Sequence, residues 1–281
     1  MAYDMCKETI IENIQELEIE VLNVIISVCN RCNLKVYMRG GSALGTVKYH
    51  GFVPWDDDID IVLPRKDFLK LIEVMPEVFG DKFLFISHQK NKEAHCYIPR
   101  VILEAKYAES LGLPLNNERG LVMMDIFPLD GMPDYSFGMK IHELKSKVLR
   151  MLAAVSNQGI EDTFKWYTPA QQRILRMLYR LHVHKLYTQD TIYEKMDRLY
   201  SKYQLGETKL AGTLMSSKGS LEVCPYEWWG EGEQMLFHGL PVLVPSDYDN
   251  YLKRLFGNDY AVYEPSLEKR TKSHLVRQKN V

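Results

Sequence analysis

The chain has 281 residues, a net charge of −2, and is 46% hydrophobic and 26% charged. That balance suits one large domain or two ordinary ones with a packed core, excludes bulk disorder, and supplies no global attraction to nucleic acid or membrane. Five cysteines (Cys6, Cys29, Cys32, Cys96, Cys224) are too few, and odd in number, for a disulfide framework, which points to a reducing compartment. Cys29 and Cys32 form a C-x-x-C with no second pair after it, so they read as helix thiols rather than a zinc or redox centre.

In chain order, Lys7 to Asn33 reads as a long helix, because Ile10, Ile11, Ile14, Leu17, Val21 and Ile25 recur near helical spacing. Its acidic, amphipathic start is not a signal peptide, no apolar run approaches about 18 residues, and no lipidation motif closes the chain. "NLKVYMR" predicts a strand, "GGSALGTVKY" a turn leading into a short helix, and "DIDIVLP" a strand in which Ile59, Ile61 and Leu63 alternate with Asp58, Asp60 and Val62. "RKDFLKLIEVMPEVFG" predicts a helix ending at Gly80. Three more strands follow, in "KFLFISH", "CYIPRVILEAKYA" and "GLVMMDIFPLDG". From Tyr135 to about Tyr203 the texture is helical. "KLAGTLMSS" is strand-like, "MLFHGLPVLVP" reads as a hairpin, and "SDYDNYLKRLFG" as a helix capped by Ser246 and stopped by Gly257. The expected architecture is α+β: a palm over residues 1–134 with a mixed sheet flanked by helices, a helical insertion over 135–205, and an α/β part over 206–281 that completes the palm.

The chemistry concentrates in "GGSALGTVKYHGFVPWDDDIDIVLP". On a strand, residues two apart share a face, so Asp58 and Asp60 project side by side with about 6.6 Å between their Cα atoms. Two carboxylates that close raise each other's pKa unless a cation intervenes, and hard Mg²⁺ prefers carboxylate oxygen. Asp56 and Asp57, after Pro54 and Trp55, read as a solvated acidic turn. Upstream, Gly40-Gly41-Ser42 follows a strand and opens a helix, where glycine lets backbone amides approach a phosphate at the positive end of the helix dipole. Asp125, set between Met124 and Ile126 on an apolar strand, is costly there unless paired or metal-bound, and is the third acid. Asp130, before Gly131, reads as turn chemistry.

These segments, with "MDIFPLDGMPD" and more weakly "FHGLPVLVPSDYDNYLKRLFGNDYAVYEP" and "EKRTKSH", resemble the LicD family of phosphotransferases, a branch of the nucleotidyltransferase superfamily related to fukutin-type proteins. The resemblance implies that Gly41 and Ser42 contact phosphate, that Asp58 and Asp60 bind Mg²⁺ (two ions, with Mn²⁺ as the alternative), and that Asp125 completes the acid set. It implies transfer of phosphocholine or a related phospho-substituent from a CDP-linked donor, CDP-choline first, to a glycan or lipid-linked glycan such as teichoic acid or lipopolysaccharide. The chain departs from the family at Ser42-Ala43, where threonine and leucine are common, and at Lys48-Tyr49-His50, where Arg-His-Lys is common. Lys48 keeps a charge but not the bidentate fork of arginine.

Gly40, Gly41, Ser42, Lys48, Arg100 and His274 are the expected donor-phosphate contacts, and Arg39, Arg65 and Arg270 are further cations in the same segments. Tyr226, Trp228, Trp229 and Phe237 can cage a quaternary ammonium or serve as core. "QQRILRMLYRLHVHKLY" is a basic amphipathic stretch, fit for a wet bundle face or for an anionic membrane. The expected location is the cytoplasm, with peripheral contact at the inner membrane face as an option. Two rival functions remain at this stage: nucleotidyl transfer to a small molecule, and a non-catalytic nucleotide-binding module.

Overall fold

Helix α1 (Ala2–Cys32) buries Ile14, Val21, Leu22, Ile25, Val28 and Cys29, each at most 2% exposed, so tertiary burial more than propensity holds it. The computed structural model describes residues 2–90, 96–117, 119–156, 167–216 and 218–264. The first helix ends where Asn33 adopts φ 51° and the Leu34 N–H donates to the Cys29 carbonyl at 2.8 Å.

The strands are β1 (Tyr37–Met38), β2 (Ile59–Pro64), β3 (Phe83–Ile86), β4 (Arg100–Glu104), β5 (Gly120–Met132), β6 (Leu210–Gly212), β7 (Cys224–Pro225), β8 (Glu233–Phe237) and β9 (Leu240–Val244). They form a mixed sheet ordered β3-β4-β5-β2-β1-β9-β8, with β6 against β5 and β7 against β6. The central pair, β2 and β5, is parallel and in register from Ile59↔Met124 to Pro64↔Leu129. β4 flanks β5 antiparallel, and β1 flanks β2 antiparallel. Helices α2 (Gly40–Tyr49), α3 (Arg65–Val74) and α4 (Ala105–Ser110) connect the palm strands.

The expected strand through "CYIPRVILEAKYA" stops at Glu104, and Ala105–Ser110 is helix, because Ala-Lys-Tyr-Ala-Glu favours helix once β4 has spent its apolar run. The helix expected to reach Gly80 ends as α-helix at Val74, since Pro76 has no N–H to continue it; a 3₁₀ turn takes over at Met75–Glu77. The hairpin β8–β9 turns through His238 and Gly239, both at positive φ. The last helix, α8 below, is capped by Asp247 and not Ser246. The Ser246 hydroxyl is taken: it accepts from the Gly232 N–H at 2.9 Å and donates to the Trp229 carbonyl at 3.2 Å.

After β5 come α5 (Ser136–Ser156), α6 (Pro169–Arg180) and α7 (Gln189–Tyr200), followed by β6–β9 and α8 (Tyr248–Phe256). Helix α6 starts in a full capping box, with Thr168 and Gln171 satisfying each other's backbone amides. Helix α7 packs Ile192, Tyr193, Met196 and Tyr200 inward, and Tyr200 shares a 2.7 Å hydroxyl contact with Ser146 of α5. Among the described residues no helix is long and apolar enough to cross a membrane.

His142 of α5 is 4% exposed with no partner for Nε2. Burial pushes its pKa down to about 4, helped by Lys202 and Lys145. A depressed folded-state pKa gives stability that is full above the unfolded value near 6.5 and is lost as pH falls toward 4. The wild type is therefore expected to lose about 2–3 kcal/mol more than His142→Phe between pH 7 and pH 4, read by urea midpoints across that range. Parallel pH profiles for the two proteins would refute it.

Candidate active site

The parallel register sets Asp60 directly beside Asp125, and paired residues on neighbouring strands point to one face. The antiparallel register sets Arg100 on the other side of Asp125. Arg39, one residue past β1, donates its N–H to the Asp60 carbonyl at 3.2 Å. The result is a row of charges across four adjacent strands: Arg39, Asp60, Asp125, Arg100. Arg39 Nη1 lies 3.0 Å from Asp60 Oδ2, and Arg100 grips Asp125 by two bonds of 2.7 and 3.2 Å.

Arg39 is 2% exposed, reaches Glu222 through Nη2 at 2.6 Å, and lies 3.9 Å from the centre of the Phe127 ring. Burial opposes its charge, but Glu222 and Asp60 outweigh that and hold its pKa above the ordinary range. Glu222 carries no sequence signal for this role; it arrives from 183 residues away through the fold.

The Gly-Gly-Ser segment is the first turn of α2, whose leading amides have no intrahelical partner. Gly40 sits at φ +53°, and a Cβ there would approach Asp60 Oδ2 to 3.9 Å; one on Gly41 would strike Asp56 Oδ2 at 2.8 Å. The Gly40 N–H donates to the Tyr251 hydroxyl at 3.0 Å. The Ser42 hydroxyl accepts the Asp60 N–H at 2.8 Å and is buried, so it positions Asp60 from within. Gly41 thus lets the helix start press against a carboxylate, while Gly40 is set by its positive φ.

Those carboxylates are crowded. Burial first, then Asp57 and Asp60, push Asp56 up to about 7. Asp58 is pushed well above the carboxylate range by burial and by Asp56, Asp57 and Asp125. Asp60 follows: burial raises it, Arg39 opposes, and Asp58, Asp125 and Glu222 add to the rise. Asp57 is 6% exposed, so Asp56 and Asp57 are not the solvated turn that the sequence suggested; Gln15 of α1 clasps the Asp56 carbonyl at 2.9 Å and seals the loop under the helix.

One turn along, Glu18 is fully buried with neither carboxylate oxygen hydrogen-bonded. Burial and then Asp58, Asp57, Asp56 and Asp60 push its pKa well up. Sequence reading missed Glu18, though the signal was present: it interrupts the buried stripe Ile14, Val21, Ile25 at helical spacing.

Among the described residues, no three His, Cys, Asp or Glu side chains are gathered closely enough to hold a metal ion unaided. Arg39 and Arg100 hold Asp60 and Asp125 instead. The donor set still fits a hard divalent cation. A carboxylate has about four acceptor sites, a bidentate arginine uses two, and the orphaned oxygens of Glu18 mark a deficit of positive charge.

Other expected residues lie elsewhere. Lys48 is at the far end of α2, about 12 Å along the axis from Gly40, and pairs with Glu264 and the Tyr263 carbonyl, each at 2.8 Å. Its ammonium is engaged there, at the other end of the helix from the Gly-Gly-Ser turn. Arg65 is committed to Asp130, which is buried within β5 and is an ion-pair partner rather than a turn residue. Trp229 is 2% exposed and packs edge-on to Tyr37 and Tyr251, and Phe237 packs on Phe52, so these two are core, while Tyr226 and Trp228 are partly buried against it. Arg270 and His274 lie outside the described residues.

Residues 33–100 match the LicD family, described as LicD/FKTN/FKRP, nucleotidyltransferase domain. The chain is LicD-like. It is 21% identical over 265 residues, 92% of its length and 94% of the relative's, to the lipopolysaccharide cholinephosphotransferase LicD of Haemophilus influenzae. It is 36% identical over 45 residues, 16% of its length and 17% of the relative's, to an uncharacterized protein of Rickettsia prowazekii. The LicD match spans β1 through the first residue of β4 and so contains Gly40, Asp58, Asp60 and Arg100. Asp125 lies beyond it and joins the site through the β2–β5 register.

Proposed function

We propose that this protein is a transferase, dependent on a divalent cation, that moves a substituted phosphate, phosphocholine foremost, from a CDP-linked donor to a glycan hydroxyl. The observation that carries this reading is the side-by-side pairing of Asp60 and Asp125 at the glycine-started helix. The LicD likeness supplies the choline, and lipopolysaccharide as an acceptor. Donor phosphates would lie against the α2 amides at Gly41 and Ser42, the Gly40 N–H being held by Tyr251. Asp58, Asp60 and Asp125 would hold Mg²⁺ or Mn²⁺, which supplies charge stabilisation to the phosphate oxygens. The acceptor oxygen attacks the substituted phosphorus, the bond to the bridging oxygen breaks, and CMP leaves with that electron pair. Asp125, oriented by Arg100, receives the hydroxyl proton. Incubation with a panel of CDP conjugates, Mg²⁺ and a glycan acceptor should release CMP; release of pyrophosphate from CTP instead would sink this reading.

A bilayer suits such an acceptor. Of the 17 large hydrophobic side chains exposed among the described residues, ten fall between Tyr135 and Leu186, including Phe137 at 71%, Leu144 at 61% and Leu181 at 67%. Phe137, Ile141, Leu144 and Val148 line one face of α5 at helical spacing. From Pro169 to Thr188 there are four Lys or Arg and no acid. On α6, Met177 and Leu181 lie among Arg173, Arg176 and Arg180, and exposed apolar side chains among cations match an anionic lipid surface. The intact protein should sediment with vesicles containing anionic lipid, lose at least tenfold of that binding in a Phe137→Ser/Leu144→Ser variant, and ignore purely zwitterionic vesicles. Equal binding by the variant would refute the membrane face.

A further inference from the structure

A cavity of about 270 Å³ opens where the insertion meets the palm, lined by Tyr97, Tyr167, Tyr193, Met196, Arg100 and Arg150 among others. It adjoins the charge row, because Arg100 both lines it and grips Asp125. Among the described residues, no aspartate or glutamate lines it. The Tyr97 hydroxyl is spent on Asp197, and Tyr193 accepts from Gln189 at 2.8 Å. The rings of Tyr97 and Tyr193 meet at 5.4 Å and 61° and so form a fixed aromatic corner.

The two arginines differ. Asp125 neutralises Arg100. Arg150 of α5 touches only the carbonyls of Leu214 and Ser216, through Nη1 at 3.1 and 3.4 Å, and among the described residues it forms no ion pair. A half-buried guanidinium with uncommitted donors, and no acid paired with it among the described residues, selects what enters. A quaternary ammonium would gain ring attraction but meet a like charge a few ångströms away, and at an effective protein dielectric the repulsion is the larger of the two. At about 270 Å³ the cavity lies at the small end of the range for ligand sites, a size that suits a single sugar ring.

Resting on the transferase reading, we propose that this cavity is the acceptor subsite and that it takes a single sugar ring bearing a phosphate or carboxylate. The anion pairs with Arg150, the apolar face of the ring lies against the tyrosines, and a hydroxyl is presented toward Asp125.

The test is binding of small probes by calorimetry, without donor or cation: glucose 6-phosphate, galacturonate, glucose and choline. The acidic sugars should bind at least tenfold more tightly than glucose, and choline should not bind. Arg150→Met should weaken the acidic sugars about 10- to 100-fold, as expected for loss of a charged hydrogen bond, and leave glucose unchanged. Arg150→Lys should recover part of the loss. Tyr167→Ala, which removes a lining ring, should weaken all sugars alike, so the assignment survives a poorly folded arginine variant. Preference for choline or for neutral glucose, or indifference of the acidic sugars to both Arg150→Met and Tyr167→Ala, overturns the assignment. CMP release from CDP donors is read separately, so failure of the transferase reading shows there and not in these titrations.

Discussion

Arg39→Ala is expected to destabilise the protein by about 3–5 kcal/mol, the cost of leaving buried carboxylates without their cation. Arg39 is 2% exposed and stands between Asp60 and Glu222, and its guanidinium also covers Phe127. Removing it strands the buried Glu222 and removes the only arginine held to Asp60 among the described contacts. Arg39→Lys is not conservative here, because one ammonium cannot reproduce two bonds from one planar fork to two acids. Adding Glu222→Gln to Arg39→Ala should recover 1 kcal/mol or more, since one stranded charge is then gone. Urea unfolding of the four proteins of this cycle gives the coupling directly. A loss under about 1 kcal/mol for Arg39→Ala, or strict additivity with Glu222→Gln, would show that the pair does not hold the palm together.

The same residue marks where sequence reading stops. The Asp-x-Asp strand, the Gly-Gly-Ser turn and the third acid were legible because each is local: a period of two, a glycine pair, one acid in an apolar run. The register that puts Asp60 beside Asp125 was not legible, since residues 60 and 125 meet only through a parallel pairing closed by two helices and two strands. Glu222 was invisible for the same reason. The place of Lys48 was not legible either: eight residues of helix separate it from Gly40 and set it against Glu264. Trp229 was open between cage and core because both use the same residue types, and its burial decides for core. Arg150 and Tyr193, on helices of the insertion, join the palm only through tertiary packing, so no motif could have linked them to Asp125.

Asp60→Asn should lower turnover by at least about 10³-fold, roughly 4 kcal/mol in the barrier, while the fold stays within about 1 kcal/mol of wild type. The two halves of that expectation have separate causes. Asparagine keeps the shape and one acceptor oxygen, so Arg39 retains a partner and still has Glu222. Neutralisation also relieves repulsion from Asp58, Asp125 and Glu222, which offsets the weakened bond to Arg39. What is lost is charge at the one strand position that faces Asp125 and lies against the start of α2, and phosphoryl transfer depends mostly on charge and placement. Asp125→Asn should lower turnover comparably, with an added stability loss because the bidentate grip of Arg100 is broken. Thermal melts, CMP release and Mn²⁺ binding followed by electron paramagnetic resonance separate these effects. Weakened Mn²⁺ binding with an unchanged melt is the expected signature of Asp60→Asn. Full turnover with intact Mn²⁺ binding would remove Asp60 from the chemistry and leave the charge row as a device for holding strands in register.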